Sequence, residues 1–180
     1  MEFLGKGMKA ACLLPLLVFF TGDAISAVQG QGRVNMQGAI IDTACAIATE
    51  SREQTIDMEV IPVSDIARDG KGRYVPFSIE LINCILTRSD KKLPDWRQFQ
   101  VTFDGNVDGD MFGIHGDASG VALVITDMFG NVAIPGKPLP LADILLGNQM
   151  LNYGITLMAN KKTLKPGSYF SSVRFKMDYY

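Results

Sequence analysis

Few side chains in this sequence could carry chemistry, and their spacing limits what each can do. His115 is the one histidine, and Asp117 and Ser119 follow it closely, which supplies the residue types of a nucleophilic triad. Neighbours on one loop do not form a hydrogen-bonded relay by sequence proximity, and no nucleophile elbow is present. A solvated loop histidine is the plainer reading. Asp42-Thr43-Ala44, after Ile40-Ile41, has the form of a loop that lets a dimer pair two carboxylates; a turn residue capping a strand is the alternative for Asp42. Asp104-Gly105-Asn106-Val107-Asp108-Gly109 matches the opening of a calcium loop. Its twelfth position is His115 rather than a bidentate glutamate, and its flanks read as strands, so a turn-rich connection fits better. Trp96 offers either a carbohydrate platform or a partial core residue. Three cysteines and one histidine are too few for a Cys/His zinc site or a His-rich centre. No catalytic residue, cofactor, metal or small-molecule substrate is expected.

The bulk composition narrows the class further. In 180 residues, 47% are hydrophobic and 20% charged, which argues against disorder. The net charge of −2 leaves no basic excess for phosphates, so no nucleic-acid partner is expected. Lys6 and Lys9 precede the apolar run Ala10 to Phe20, and Ala24-Ile25-Ser26-Ala27 follows. A basic start, a short apolar core and a small-residue end predict a secretory signal at 1–27; Met8 is a second candidate start. The apolar run is too short for a bilayer of about 30 Å, which counts against the rival reading of a membrane anchor. Cleavage removes Cys12 and leaves Cys45 and Cys84. Two cysteines in an exported chain permit one intramolecular disulfide. It would close a loop of about 40 residues and contribute roughly 4 kcal/mol on the chain-entropy account; two buried free thiols are the alternative.

The elements that must position these residues read as β-strands. Polar Gln29, Gln31, Arg33, Asn35 and Gln37 alternate with apolar or small Val28, Gly30, Gly32, Val34, Met36 and Gly38. Further strands are predicted within Ile40–Ala48, Thr55–Val60, Val75–Leu86, Phe99–Phe103, Val121–Thr126 and Leu151–Leu157. In the last segment Tyr169, Ser171, Val173, Phe175, Met177 and Tyr179 share a face, opposite Ser172, Arg174, Lys176 and Asp178. Loops are predicted at 69–72, 105–109, 130–131, 135–140 and 166–167, and a helical turn at most within 144–150. About eight short strands with one disulfide suggest a β-sandwich.

Two segments fit an ordinary closed sandwich badly. Glycine weakens a strand that packs in its own fold, but suits a segment that docks elsewhere through backbone hydrogen bonds. The segment 28–38 is therefore either a frayed edge strand or a donor for another chain. The last strand is expected to have no successor, so its outer backbone groups need a partner from outside. A one-residue slip would turn Arg174, Lys176 and Asp178 inward, which fixes its register.

The sequence resembles the pilin-type subunits of chaperone–usher fimbriae. The matching residues are Gly32-x-Val34-x-Met36-x-Gly38 leading to Ala44-Cys45, Phe77-x-Ile79-x-Leu81-x-x-Cys84, and Gly120-Val121 running to Asp127-x-x-Gly130. Gly167, fourteenth from the end, and penultimate Tyr179 complete the pattern. Within the family, Gly167-Ser168-Tyr169-Phe170, Phe175 to Tyr179, Val101 to Gly105 and Gln54-x-Ile56-Asp57-Met58 are most similar to the minor, terminator class of P-pilus subunit. The resemblance implies an incomplete immunoglobulin-like β-sandwich lacking its last strand, with a pilin domain at 39–180 and a donor-strand extension at 28–38. It implies that Gly32, Val34, Met36 and Gly38 enter a neighbour's groove. Gly167, Tyr169, Val173, Phe175, Met177 and Tyr179 would line this chain's own groove, and the Tyr180 carboxylate would anchor a basic chaperone residue. About five side chains filling such a groove contribute roughly 8–15 kcal/mol gross.

The implied partners are a periplasmic chaperone, an outer-membrane usher and neighbouring fimbrial subunits, with passage through the periplasm to a surface fimbrium. A structural assembly subunit, minor or terminating rather than enzymatic, is the expected function. A shaft pilin, an autonomous secreted sandwich binding a glycan or receptor, and a hydrolase are the alternatives.

Overall fold

The structure, a computed structural model, describes Gly30 and residues 32–180. The expected signal at 1–27 lies outside the described residues. Contacts divide the chain into two units, residues 1–39 and 40–180. In the first, residues 32–39 carry no regular secondary structure and are exposed, Val34 and Met36 among them. They form no strand, which corrects the frayed-edge reading of 28–38 over its described part. Their alternation has nothing to pair with, and glycine adds no side chain to hold it.

The second unit contains β1 (Ala46–Ile47), α1 (Thr49–Arg52), α2 (Val63–Asp69), β2 (Lys71–Cys84), β3 (Gln98–Gly105), β4 (Val107–Asp108), β5 (Met111–Phe112), β6 (His115–Gly116), β7 (Val121–Asp127), β8 (Val132–Ala133), β9 (Ala142–Asp143), β10 (Gly147–Ala159), β11 (Tyr169–Phe170) and β12 (Val173–Tyr179). All ladders are antiparallel. One seven-stranded sheet runs β1-β2-β10-β7-β5-β4, with β8 added on β7. A second runs β12-β3-β9, and β11 pairs with β6.

Period-2 alternation is why the two sheets face each other. Phe77, Ile79 and Leu81 of β2, Leu123 and Ile125 of β7, and Tyr153 and Leu157 of β10 turn one face inward. Phe99, Val101 and Phe103 of β3 meet them from the other sheet. Phe103 sits edge-on to Tyr153 at 5.1 Å between ring centroids and to Phe77 at 6.3 Å, a favoured aromatic geometry. The result is a two-layer sandwich with one core.

Several elements differ from the sequence expectation. Residues 147–150, where a helical turn at most is expected, open β10, and Thr49–Arg52 form the short helix α1. Residues 63–69 form helix α2, held by buried Ile66 and closed at Gly70, whose N–H donates to the Ile66 carbonyl at 2.8 Å. Lys71 and Gly72, expected in a loop, begin β2. Thr55–Val60, expected as a strand, is irregular: Glu59 has φ 58°, which breaks a strand, and no backbone-to-backbone hydrogen bond joins residues 55–61 to any described residue.

Candidate functional site

β12 is an edge strand. It pairs with β3 on one side, placing Val173 opposite Gly105, Phe175 opposite Phe103, Met177 opposite Val101 and Tyr179 opposite Phe99. No strand among the described residues pairs with its other side. Val173, Phe175, Met177 and Tyr179 are half-buried, while Arg174 and Lys176 are exposed. Arg174 meets Asp104 at 3.4 Å and Lys176 meets Asp178 at 2.9 Å, so the charged parity is held at the surface.

Beside the free edge lies a groove of about 1280 Å³. Phe77, Phe103, Leu123, Ile125, Ile155 and Leu157 form its floor. One wall is residues 166–175, where β11 pairs with β6 and β12 keeps its outer edge free, and the other is the segment 55–61, which has no backbone-to-backbone hydrogen bond to any described residue. That geometry is of the kind that suits an extended chain, whose backbone would pair with the edge while alternate side chains met the floor.

The expected groove residues separate into two sets. Gly167, Tyr169, Val173 and Phe175 line the groove. Phe175 packs against Phe103 with 6.3 Å between centroids. Gly167 is pressed on residues 117–118, where a Cβ would stand 2.6 Å from the Ala118 nitrogen, so no side chain fits there. Met177 and Tyr179 lie beyond the groove, where Tyr179 packs on Trp96 at 6.0 Å and Phe99 at 6.5 Å. Burial pushes the Tyr179 phenol's pKa up, which keeps it a neutral hydroxyl. A main-chain oxygen of Tyr180 accepts from the N–H groups of Arg97 and Gln98 at 2.7 and 3.1 Å. Gly32, Val34, Met36 and Gly38 are exposed in the first unit.

Cys45 and Cys84 form a disulfide with 4.1 Å between Cα atoms. It joins the residue before β1 to the end of β2, and Ile85 N–H reinforces it by donating to the Ala44 carbonyl at 2.8 Å. Sequence reasoning missed the segment 55–61 as a wall. Ile56, Met58 and Val60 alternate as in a strand, and the turn at Glu59 leaves no sequence signal.

The candidate chemical groups are occupied elsewhere. Ser119 Oγ donates to the Thr163 carbonyl at 3.0 Å, Asp117 accepts from Ser168 Oγ at 3.3 Å, and His115 stacks on Phe170 at 5.5 Å. No triad is assembled. Asp42 accepts from Ser89 Oγ at 3.3 Å. Asp104 accepts from the N–H of Gly105 at 3.0 Å, and Asp108 accepts from Lys162 Nζ at 2.8 Å and Asn160 Nδ2 at 2.6 Å, so the two carboxylates do not converge on one cation. Trp96 is a core residue, 8% exposed, with the Arg88 guanidinium 3.4 Å over its ring.

Fold and groove together define a class: an immunoglobulin-like sandwich that lacks its last strand and keeps an edge open to another chain's backbone. No protein-family model matches the chain. It is 35% identical over 151 residues to the PAP fimbrial minor pilin protein of Escherichia coli, which covers 82% of this chain and 77% of that one. Among solved structures it is similar to the P pilus rod subunit PapA, with TM-score 0.68 and 20% identity over 77% of this chain and 100% of that one, a likeness of fold. A chaperone–usher pilus structure matches with TM-score 0.66 and 25% identity over 87% of this chain and 100% of that one. The chain belongs to the fimbrial pilin family and is a structural subunit of a chaperone–usher fimbria.

Proposed function

We propose that the chain is a minor subunit of the fimbrium, whose groove is filled by a strand from another chain and whose segment 28–38 fills a neighbour's groove. A periplasmic chaperone supplies the first strand in transit, the outer-membrane usher is the site of exchange, and the product stands on the cell surface. The observation that carries this reading is the free edge of β12 beside the 1280 Å³ groove. The exposed residues Val34 and Met36, set two apart between Gly32 and Gly38, supply a segment of the matching kind. The 35% identity to a minor pilin supports the minor position over a shaft position. An open apolar groove beside an unpaired edge is an aggregation hazard, so the subunit should travel covered.

The test is co-purification from periplasm with the cognate chaperone. Phe175→Asp should abolish the complex, because the carboxylate would be buried opposite Phe103 without a partner. Undiminished complex would mean that β12 does not take the chaperone strand. Position is read separately: a subunit that donates its 28–38 segment yet takes no donor strand terminates the fibre, and one found throughout the shaft refutes the minor reading.

A further inference from the structure

Six exposed apolar side chains share the end of the sandwich that carries the disulfide. Ile85 follows Cys84, and its N–H donates to the Ala44 carbonyl at 2.8 Å. Ile41 adjoins Asp42, which accepts from Ser89 Oγ in the loop after Ile85, and Leu93 lies further along that loop. Tyr180 N–H donates to the Gln98 carbonyl at 2.8 Å. Leu145 and Leu146 stand in the turn that leads to Gly147, which is opposite Cys84 in the β2–β10 ladder. Ile144 N–H ties that turn to the Arg97 carbonyl at 2.9 Å. Ile41 is 74% exposed and Leu146 71%, and none of the six lines the groove. Apolar residues scattered singly over a surface need no account, but a set gathered on one end marks an interaction face.

The leucine turn is braced. Gln149 Oε1 accepts the Leu145 N–H at 3.2 Å, and Gln149 Nε2 donates to the Asp143 carbonyl at 3.3 Å, so one side chain spans the turn. Gly147 at φ 88° supplies its left-handed step. A partner meeting such a turn has little ordering left to do. The course of the chain says which partner. Residues 39–43 link the segment 28–38 to Ala44, which is buried at this same end. Five residues reach about 18 Å at most. A subunit that holds 28–38 in its groove is therefore kept close to Ile41, Ile85 and the leucine turn. We infer that this end is a docking face, against which the body of the subunit that takes up residues 28–38 packs. This rests on the proposed donor role of 28–38. So short a tether raises the effective concentration of the two faces, and a modest apolar contact then suffices.

The experiment uses the full chain in cells that assemble the fimbrium. The photo-crosslinker p-benzoylphenylalanine replaces Leu146 and, in parallel chains, Asn35 or Tyr74. Asn35 lies on the polar face of 28–38 and reports donor docking, while Tyr74, exposed on β2, is the control. Mass spectrometry identifies the products. Leu146 should join the same subunit as Asn35, with more product than Tyr74. A subunit product at Asn35 with none at Leu146, a Leu146 product with the chaperone or usher alone, or equal product at Tyr74 overturns the docking face and leaves the donor role standing. No subunit product at Asn35 removes the donor role and the docking face with it. Leu145→Asn combined with Leu146→Asn reads the strength of the contact. This double variant should leave isolated fimbriae about tenfold faster at a fixed urea concentration, because interface changes act mainly on dissociation. Its own urea midpoint as a free chain should be unchanged, since both side chains are exposed. An unchanged release rate, or a midpoint that falls along with it, overturns the docking face.

Discussion

Phe175→Ala should separate the empty groove from the filled one by a calculable margin. In the empty subunit Phe175 is half-buried and contacts Phe103 from one side, with 6.3 Å between ring centroids. Truncation there loses half of a side chain's burial, about 1–1.5 kcal/mol. Once a strand covers the groove, the same ring is enclosed, and truncation leaves a cavity in a closed core at about 3–5 kcal/mol. The difference, about 2–3.5 kcal/mol, is borne by the docking equilibrium and weakens strand affinity roughly 30- to 400-fold. Peptide titration of the refolded chain measures it, and a urea midpoint without peptide measures the smaller effect on the empty subunit. Lys176→Ala is the parity control: its side chain is 66% exposed and paired with Asp178 at the surface, so affinity should change less than about twofold. A Phe175→Ala loss below threefold, or a Lys176→Ala loss of similar size, would refute the assignment of this face to the groove.

Cys84→Ala should lower stability by about 2–5 kcal/mol, read from denaturant unfolding; two free thiols found by mass spectrometry in exported protein would refute the bond. Gly120→Ala should cost about 3 kcal/mol in the same assay, because φ is +84° and a Cβ would stand 2.6 Å from the Leu164 Cα, a backbone atom that cannot turn aside. The Lys162 ammonium beside Asp108, with Asn160, holds the Asp108 carboxyl below its ordinary value. Its contribution is therefore present above the unfolded pKa of about 3.9 and lost as pH falls through the folded one. Asp108→Asn should reduce stability by about 0.5 kcal/mol at pH 7, and wild type and variant should converge as pH falls below the folded pKa.

Legibility in the sequence followed the range of the forces involved. β10 and β12 were visible because alternation reports a face, and a face reports burial. The cysteine pair was visible because counting left no other partner. The helix at 63–69 was hidden: Asp69-Gly70 reads as a turn, and the helix depends on Ile66 finding the core, which is a tertiary event. The segment 55–61 was misread because Ile56, Met58 and Val60 keep strand spacing, while Glu59 turns at φ 58° and no described residue pairs with the segment's backbone. The division of the last strand's face was also hidden. Val173 and Phe175 look the same in pattern as Met177 and Tyr179, and only the position of Trp96 places the latter pair beyond the groove. A free edge is a fact about what does not lie beside a strand, and residue order records it indirectly at best.

Every second amide of β12 points away from β3, as in any antiparallel ladder. In the open subunit these protons have no backbone acceptor among the described residues, so they exchange with solvent at rates set by local exposure. A strand that docks from one end covers them in order. Pulse labelling during uptake would therefore turn β12 into a clock: amides near Val173 that fall silent before those near Tyr179 mean that zippering starts at the Val173 end of the strand. The opposite order means that it starts beside the Trp96 stack. The open edge thus carries the direction of assembly as well as its site.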